Sequence, residues 1–152
     1  MERTIVELLA AKRDGQTLTE AEIPAATALW VAAGLTRPWN DPSADARRAL
    51  APPAATVFAA RENAILIGTV MTGHDGHRGW VYYLAVAASH QRRGIARVLM
   101  AAAEAWCTAA GMPRLNLMVR AGNDPVLGFY ARLGYRALDV IVLQKDFDDG
   151  ER

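Results

Sequence analysis

The stretch from Trp80 to Ala110 constrains this chain more than any other. Trp80–Val86, WVYYLAV, is an aromatic and β-branched run and reads as a strand. A short linker follows, and Gln91-Arg92-Arg93-Gly94-Ile95-Ala96 then leads directly into a helix. Its apolar positions Ile95, Val98, Leu99, Ala102, Trp106 and Ala109 form one stripe, and Gly111 and Pro113 terminate it. The first amides of a helix have no acceptor inside it. Together with the helix dipole they make an anion site, and Arg92, Arg93 and Arg97 place positive charge beside them. Gly94 allows the tight turn. A diphosphate is the group such a corner suits best; a plain strand–helix corner with surface arginines is the alternative. The turn has neither the Gly-Lys-Ser/Thr ending of a P-loop nor the three spaced glycines of a dinucleotide fingerprint.

The rest of the chain reads as one domain with a sheet at its centre. At 152 residues, folding removes roughly 70% of the exposable surface, enough for a core without staples. Residues 1–17 form an N-terminal segment of undefined structure, with Thr4–Ala11 a strand or a short helix. Thr19 and Glu22 make a capping-box pair ahead of a helix through Ile23, Ala26, Trp30 and Ala33, which Gly34 stops. A second helix is expected over 43–50. Strands are expected over Thr56–Arg61 and Ile65–Thr72, joined tightly at Glu62-Asn63, with Glu62 solvated in the turn. Leu115, Leu117 and Val119 alternate as a strand. Asp124 caps a further helix with Pro125 at its first position, Leu138–Phe147 reads as a last strand, and 149–152 is a tail. The expected fold class is α/β, a mixed sheet with one parallel crossover.

The net charge of +1 argues against a nucleic-acid partner. Cys107 is the single cysteine, so an intramolecular disulfide and a cysteine zinc site are both excluded, and its apolar helical setting marks it as core. No run reaches the ~18 apolar residues of a membrane helix. No membrane partner and a cytoplasmic location are expected.

Gln91-Arg92-Arg93-Gly94-Ile95-Ala96, preceded by a Leu-Ala-Val strand, resembles the Gln/Arg-x-x-Gly-x-Gly/Ala motif of the Gcn5-related N-acetyltransferase (GNAT) superfamily. Asn123 and the later Tyr130-Ala131-Arg132-Leu133-Gly134-Tyr135 resemble the family's Asn…Tyr-x-x-x-Gly-Phe/Tyr signature. Arg37–Pro42 and Asp75–Gly79 look like the bacterial YpeA-type subgroup. The resemblance covers about Thr19 to Phe147 and implies a GNAT domain over 18–148, with splayed parallel central strands and helices on both faces. Ala96 replaces a frequent glycine, and the slot for the family's first strand, Arg13–Leu18, is a poor strand sequence.

The resemblance implies acetyl-CoA as co-substrate, an amine acceptor (small molecule or peptide), direct attack in a ternary complex and no metal. A non-catalytic acyl-CoA-binding module of the same fold is the alternative. Leu84, Ala85 and Val86 are expected to bind the pantetheine arm, and Gln91, Arg92, Arg93, Gly94, Ile95, Ala96, Arg97 and Asn123 the rest of CoA. Tyr130 falls at the position of the family's acid. Arg37, Trp39, Asp75, His77 and Tyr82 are the candidate acceptor-side residues. Relatives also make a homodimer an expectation.

Overall fold

A two-residue hairpin turn organises the sheet. The computed structural model describes residues 17–51 and 53–147. In it Asn63 and Ala64 both take positive φ, 51° and 65°, the conformation whose twist matches paired strands. The turn joins β1 (Ala55–Glu62) to β2 (Ile65–His74), and β2 pairs antiparallel with β3 (Gly79–Val86). β3 pairs parallel with β4 (Leu115–Leu117), giving the order β1-β2-β3-β4. β4 ends two residues before the Val119 expected of it. Thr17 bridges Phe58, and the Leu18 amide donates to the Val57 carbonyl at 2.8 Å. Of the slot for a first strand, the described residues Thr17 and Leu18 thus add a single bridge to β1; Arg13–Gln16 and Thr4–Ala11 lie outside the described residues.

Helices α1 (Ile23–Ala32), α2 (Pro42–Leu50) and α3 (Ile95–Ala109) cover the sheet. Successive strand residues point to opposite faces. At Thr69 the side chain meets Trp30 of α1. At Gly68 an added Cβ would lie 3.1–3.2 Å from Leu99 and Ile95 of α3. α1 and α3 therefore occupy opposite faces. The Thr19–Glu22 capping box forms, with Thr19 N and Oγ1 both donating to Glu22 Oε1 at 3.0 and 2.9 Å. Ile23, Ala26, Trp30, Ala46, Ala49, Val57, Ala59 and Met71 build the core on that face.

On α3 the buried stripe is Ile95, Leu99, Met100, Ala103 and Cys107. It is rotated from the expected one, because an alanine-rich helix offers two overlapping stripes. Ala102 and Trp106 are half-buried, Ala109 is exposed, and Trp106 lies beside His74, ring centroids 5.7 Å apart. Cys107 is core as expected, its Sγ 3.3 Å from Thr72 Oγ1.

By its internal contacts the chain divides into two compact units, Met1–Met118 and Val119–Arg152. The second carries α4 (Asp124–Arg132). Asn123, not Asp124, stands at its N-cap, and its side chain makes no cap hydrogen bond. Leu138–Phe147 is not a strand here: none of its residues joins a β-ladder among the described residues, and Ile141, Leu143 and Phe147 are 87–91% exposed. A β-branched apolar run alone makes no strand; the ladder needs a partner edge, and among the described residues this segment has none. No helix among the described residues is long and apolar enough to cross a membrane.

Candidate functional site

The corner between β3 and α3 takes the shape an anion site requires. A 3-10 turn, Ala88–His90, leads into Gln91. Arg92 and Gly94 then both adopt left-handed backbone, φ 63° and 81°. Gly94 is the N-cap of α3, and a Cβ there would meet no atom within 4 Å, so conformation rather than crowding selects glycine. Val98 N–H donates back to the Gly94 carbonyl. The amides of Ile95, Ala96 and Arg97 precede that first bond and have no acceptor within the helix. Arg92, Arg93 and Arg97 stand exposed around them. Arg93 lies 3.4 Å from Glu62, whereas Arg92 and Arg97 have no acidic partner among the described residues. Glu62 is not a free, solvated turn residue, because its carboxylate also binds His90. Gln91 reaches back to the Val86 carbonyl at 3.4 Å and ties the turn to β3.

The second element of the site is the edge of β3 that leads to this corner. β3 and β4 pair only at Gly79, Trp80 and Val81. From Tyr82 to Val86 no described strand pairs with that edge, because β4 ends at Leu117. A β-bulge sits at the point of departure. Thr69 faces Ala85 and Met71 faces Tyr82, which leaves Tyr83 and Leu84 both opposite Val70. Tyr83 takes φ 52°, a conformation that costs a non-glycine residue about 1–2 kcal/mol.

A buried network holds that strain in place. Tyr83 stacks on Trp30, centroids 4.1 Å apart and planes at 15°. Trp30 Nε1 donates to Thr69 Oγ1 at 2.7 Å, and Thr69 Oγ1 donates to the Tyr83 carbonyl at 3.0 Å. The Tyr83 hydroxyl donates to Asp45 of α2 at 2.7 Å. Burial, and then the bond to Asp45, push the Tyr83 phenol far above its ordinary value, so it stays protonated. Sequence reading missed Trp30, Asp45, Thr69 and Tyr83 as site-shaping residues, because a left-handed tyrosine has no glycine to announce it.

The expected acceptor-side residues fall in two turns and on β3. Asp75 Oδ1 accepts the amides of His77 and Arg78 at 2.8 and 2.7 Å, and Oδ2 accepts Trp80 Nε1 at 3.1 Å. These bonds, the Arg78 amide first, hold its carboxyl down to about 2. Asp75 therefore builds its turn. His77 is exposed, and Tyr82 is 43% exposed. Burial, and then the charge of Asp75, raise the Tyr82 phenol. Arg37 donates to the Gly34 and Thr36 carbonyls at 3.0 and 2.8 Å and so closes the end of α1. Trp39 is 63% exposed. In the second unit Tyr130 is half-buried between Phe129 and Tyr135, both edge-on at 5.1 and 5.7 Å. Burial raises its phenol above the ordinary value.

A family model described as the Acetyltransferase (GNAT) family matches residues 20–135. This chain belongs to that family. An uncharacterized N-acetyltransferase of Yersinia pestis is 44% identical over 117 residues, 77% of this chain and 83% of that protein. An acetyltransferase of Pectobacterium atrosepticum is 42% identical over 124 residues, 82% and 88% of the two chains. Among solved structures, the fold of this GNAT chain matches a putative acetyltransferase from Agrobacterium tumefaciens at TM-score 0.72 and 17% identity, covering 86% of this chain and 98% of that one. It also matches the aminoglycoside acetyltransferase AAC(6')-Iy in complex with a CoA-linked bisubstrate analogue, at TM-score 0.72, 17% identity and coverage of 88% and 97%.

Proposed function

We propose that this chain transfers the acetyl group of acetyl-CoA to an amine acceptor. The observation that carries the reading is the unpaired edge of β3 running straight into a corner of unbonded amides. An amide-bearing pantetheine arm pairs with Leu84 and Val86 as a substitute strand and satisfies backbone groups that are costly to leave bare. The diphosphate lies on the amides of Ile95, Ala96 and Arg97, with Arg92 and Arg97 supplying charge. That placement fixes the thioester at the bulge, where a backbone N–H polarises its carbonyl.

The neutral amine attacks the thioester carbon, the C–S bond breaks, and the acetyl group leaves on nitrogen. The amine gives up a proton and the departing thiolate gains a hydrogen-bond donor or a proton. Tyr130 is assigned that donor role on the family resemblance; its phenol, which burial raises further above its ordinary value, is protonated at neutral pH and able to donate a hydrogen bond. Asn123 is assigned a CoA contact on the same ground. Asp75 is a poor general base, since a carboxyl near 2 binds protons weakly. Trp39 and Tyr82, both exposed aromatics, are the acceptor-side residues with apolar surface to offer. The single buried thiol suits a reducing, cytoplasmic setting.

The test is an acceptor screen. Acetyl-CoA is offered with amino acids, polyamines, aminoglycosides and peptides, and released thiol is measured. Acceptor-dependent thiol release is expected, with Tyr130→Phe lowering turnover while CoA affinity barely changes. No CoA binding by calorimetry would overturn the donor assignment, and an unchanged rate in Tyr130→Phe would overturn the acid.

A further inference from the structure

We propose that Glu62 is a positioning residue for the anion corner, holding His90 and Arg93 in place before the donor arrives. The inference rests on the donor reading above. Glu62 is the last residue of β1 and pairs with Ile65 across the hairpin, so its backbone is fixed by the sheet. Its Oε2 accepts from His90 Nε2 and lies 3.4 Å from Arg93. The carboxylate therefore joins the hairpin to the turn from Ala88 to Gln91, which sequence places 26 or more residues away. The other ring nitrogen, His90 Nδ1, lies 2.7 Å from Ser89 Oγ. A hydroxyl can donate or accept, so both protonation states of the imidazole keep both bonds.

The corner needs such a tie. Arg92 sits in left-handed backbone, which persists only where the surroundings impose it. The turn is also tied by the His90 amide to the Ala87 carbonyl at 2.8 Å and by Gln91 to the Val86 carbonyl at 3.4 Å, the latter at the long limit of a hydrogen bond. The side chains of Glu62 and His90 are 30% and 21% exposed, so their bond is partly shielded from water. The His90 bond, then Arg93, keep the Glu62 carboxyl below its ordinary value and hence ionised.

Simple electrostatics gives the opposite expectation. An acid beside an anion site repels the anion, so its removal should tighten binding. The sign of the effect therefore separates positioning from charge. CoA is titrated calorimetrically into the wild-type chain, Glu62→Ala, Glu62→Gln, His90→Ala and the Glu62→Ala/His90→Ala double variant, with a thermal melt on each. Glu62→Ala should bind CoA about fivefold more weakly, the worth of one net hydrogen bond. Glu62→Gln keeps an acceptor for His90 Nε2–H and should stay within about twofold of wild type by the same reckoning. His90→Ala should match Glu62→Ala, and the double variant should be no weaker than either. The KM for acetyl-CoA should rise while kcat at saturation holds. Wild-type binding with Glu62→Ala equal or tighter overturns the proposal alone. No CoA binding by wild type overturns the donor reading and this proposal with it. If Glu62→Ala fails to fold, His90→Ala against wild type decides: unchanged affinity overturns the proposal, and a loss of about fivefold supports it.

Discussion

Replacing Thr69 with valine isolates the contact that holds the bulge. Thr69 is fully buried, and its hydroxyl serves Trp30 Nε1 at 2.7 Å and the Tyr83 carbonyl at 3.0 Å. Valine matches threonine in shape, so no cavity opens, but two polar groups lose their partner. Trp30 is also fully buried, and its orphaned N–H costs about 1–3 kcal/mol. The Tyr83 carbonyl adds about 0.5–1.5 kcal/mol. A total near 2–4 kcal/mol corresponds to a fall in Tm of about 5–15 °C for a chain of this size. Thr69→Ser keeps the hydroxyl and loses one methyl, about 1 kcal/mol. Urea unfolding followed by tryptophan fluorescence measures both variants. Calorimetry with CoA measures the consequence for the site, since Tyr83 relaxing from φ 52° would alter the edge of β3. A Thr69→Val loss no larger than that of Thr69→Ser, with unchanged CoA affinity, would refute the coupling between this network and the donor edge.

Three further expectations concern the scaffold. Ala64 at φ 65° should prefer glycine, and Ala64→Gly is expected to gain about 0.5–1 kcal/mol, visible as a Tm rise of about 1–4 °C. At Gly79 a Cβ would lie 2.5 Å from Cys107 Sγ and 3.1 Å from Leu115, so Gly79→Ala should lose about 1–3 kcal/mol by overpacking. Adding Cys107→Ala should recover part of that loss; no recovery in the double variant would contradict the clash. Glu22 binds Arg61 through two bonds, Nε at 2.7 Å and a second guanidinium nitrogen at 2.5 Å, and these hold its carboxyl at about 2 against an ordinary 4.5. The folded-state value lies below the unfolded one, so this contribution is complete above about pH 4.5 and disappears as pH falls toward 2. A Tm profile against pH should flatten over that window in Glu22→Gln.

The parts of the fold legible in the sequence are those where local chemistry and tertiary packing agree. WVYYLAV, the glycine corner and the apolar helix after it each need only short-range rules, and β3, Gly94 and α3 follow them. The capping box at Thr19 and Glu22 is local in the same way. The misses are non-local. The buried face of α3 depends on where the sheet lies, and a run of alanines leaves its rotation open. The bulge at Tyr83 comes from contacts with Trp30, Thr69 and Asp45, which are 53, 14 and 38 positions away, and no residue at the bulge signals it. Glu62 sits in a turn where carboxylates are commonly solvated, and its partners lie 28 and 31 positions along. Leu138–Phe147 carries the β-branched apolar run of a strand, Val140–Leu143, yet among the described residues it has no edge to join.

Hydrogen exchange on the chain with and without saturating CoA tests the donor site most directly. The amides to follow are those of Tyr82–Val86 that face away from β2 and those of Ile95–Arg97, which have no β4 or helical partner to slow them. Both should exchange markedly more slowly once CoA is bound, while β1 is unchanged. CoA binding that leaves both sets exchanging as before would contradict the assignment of the unpaired edge and the amide corner to the donor.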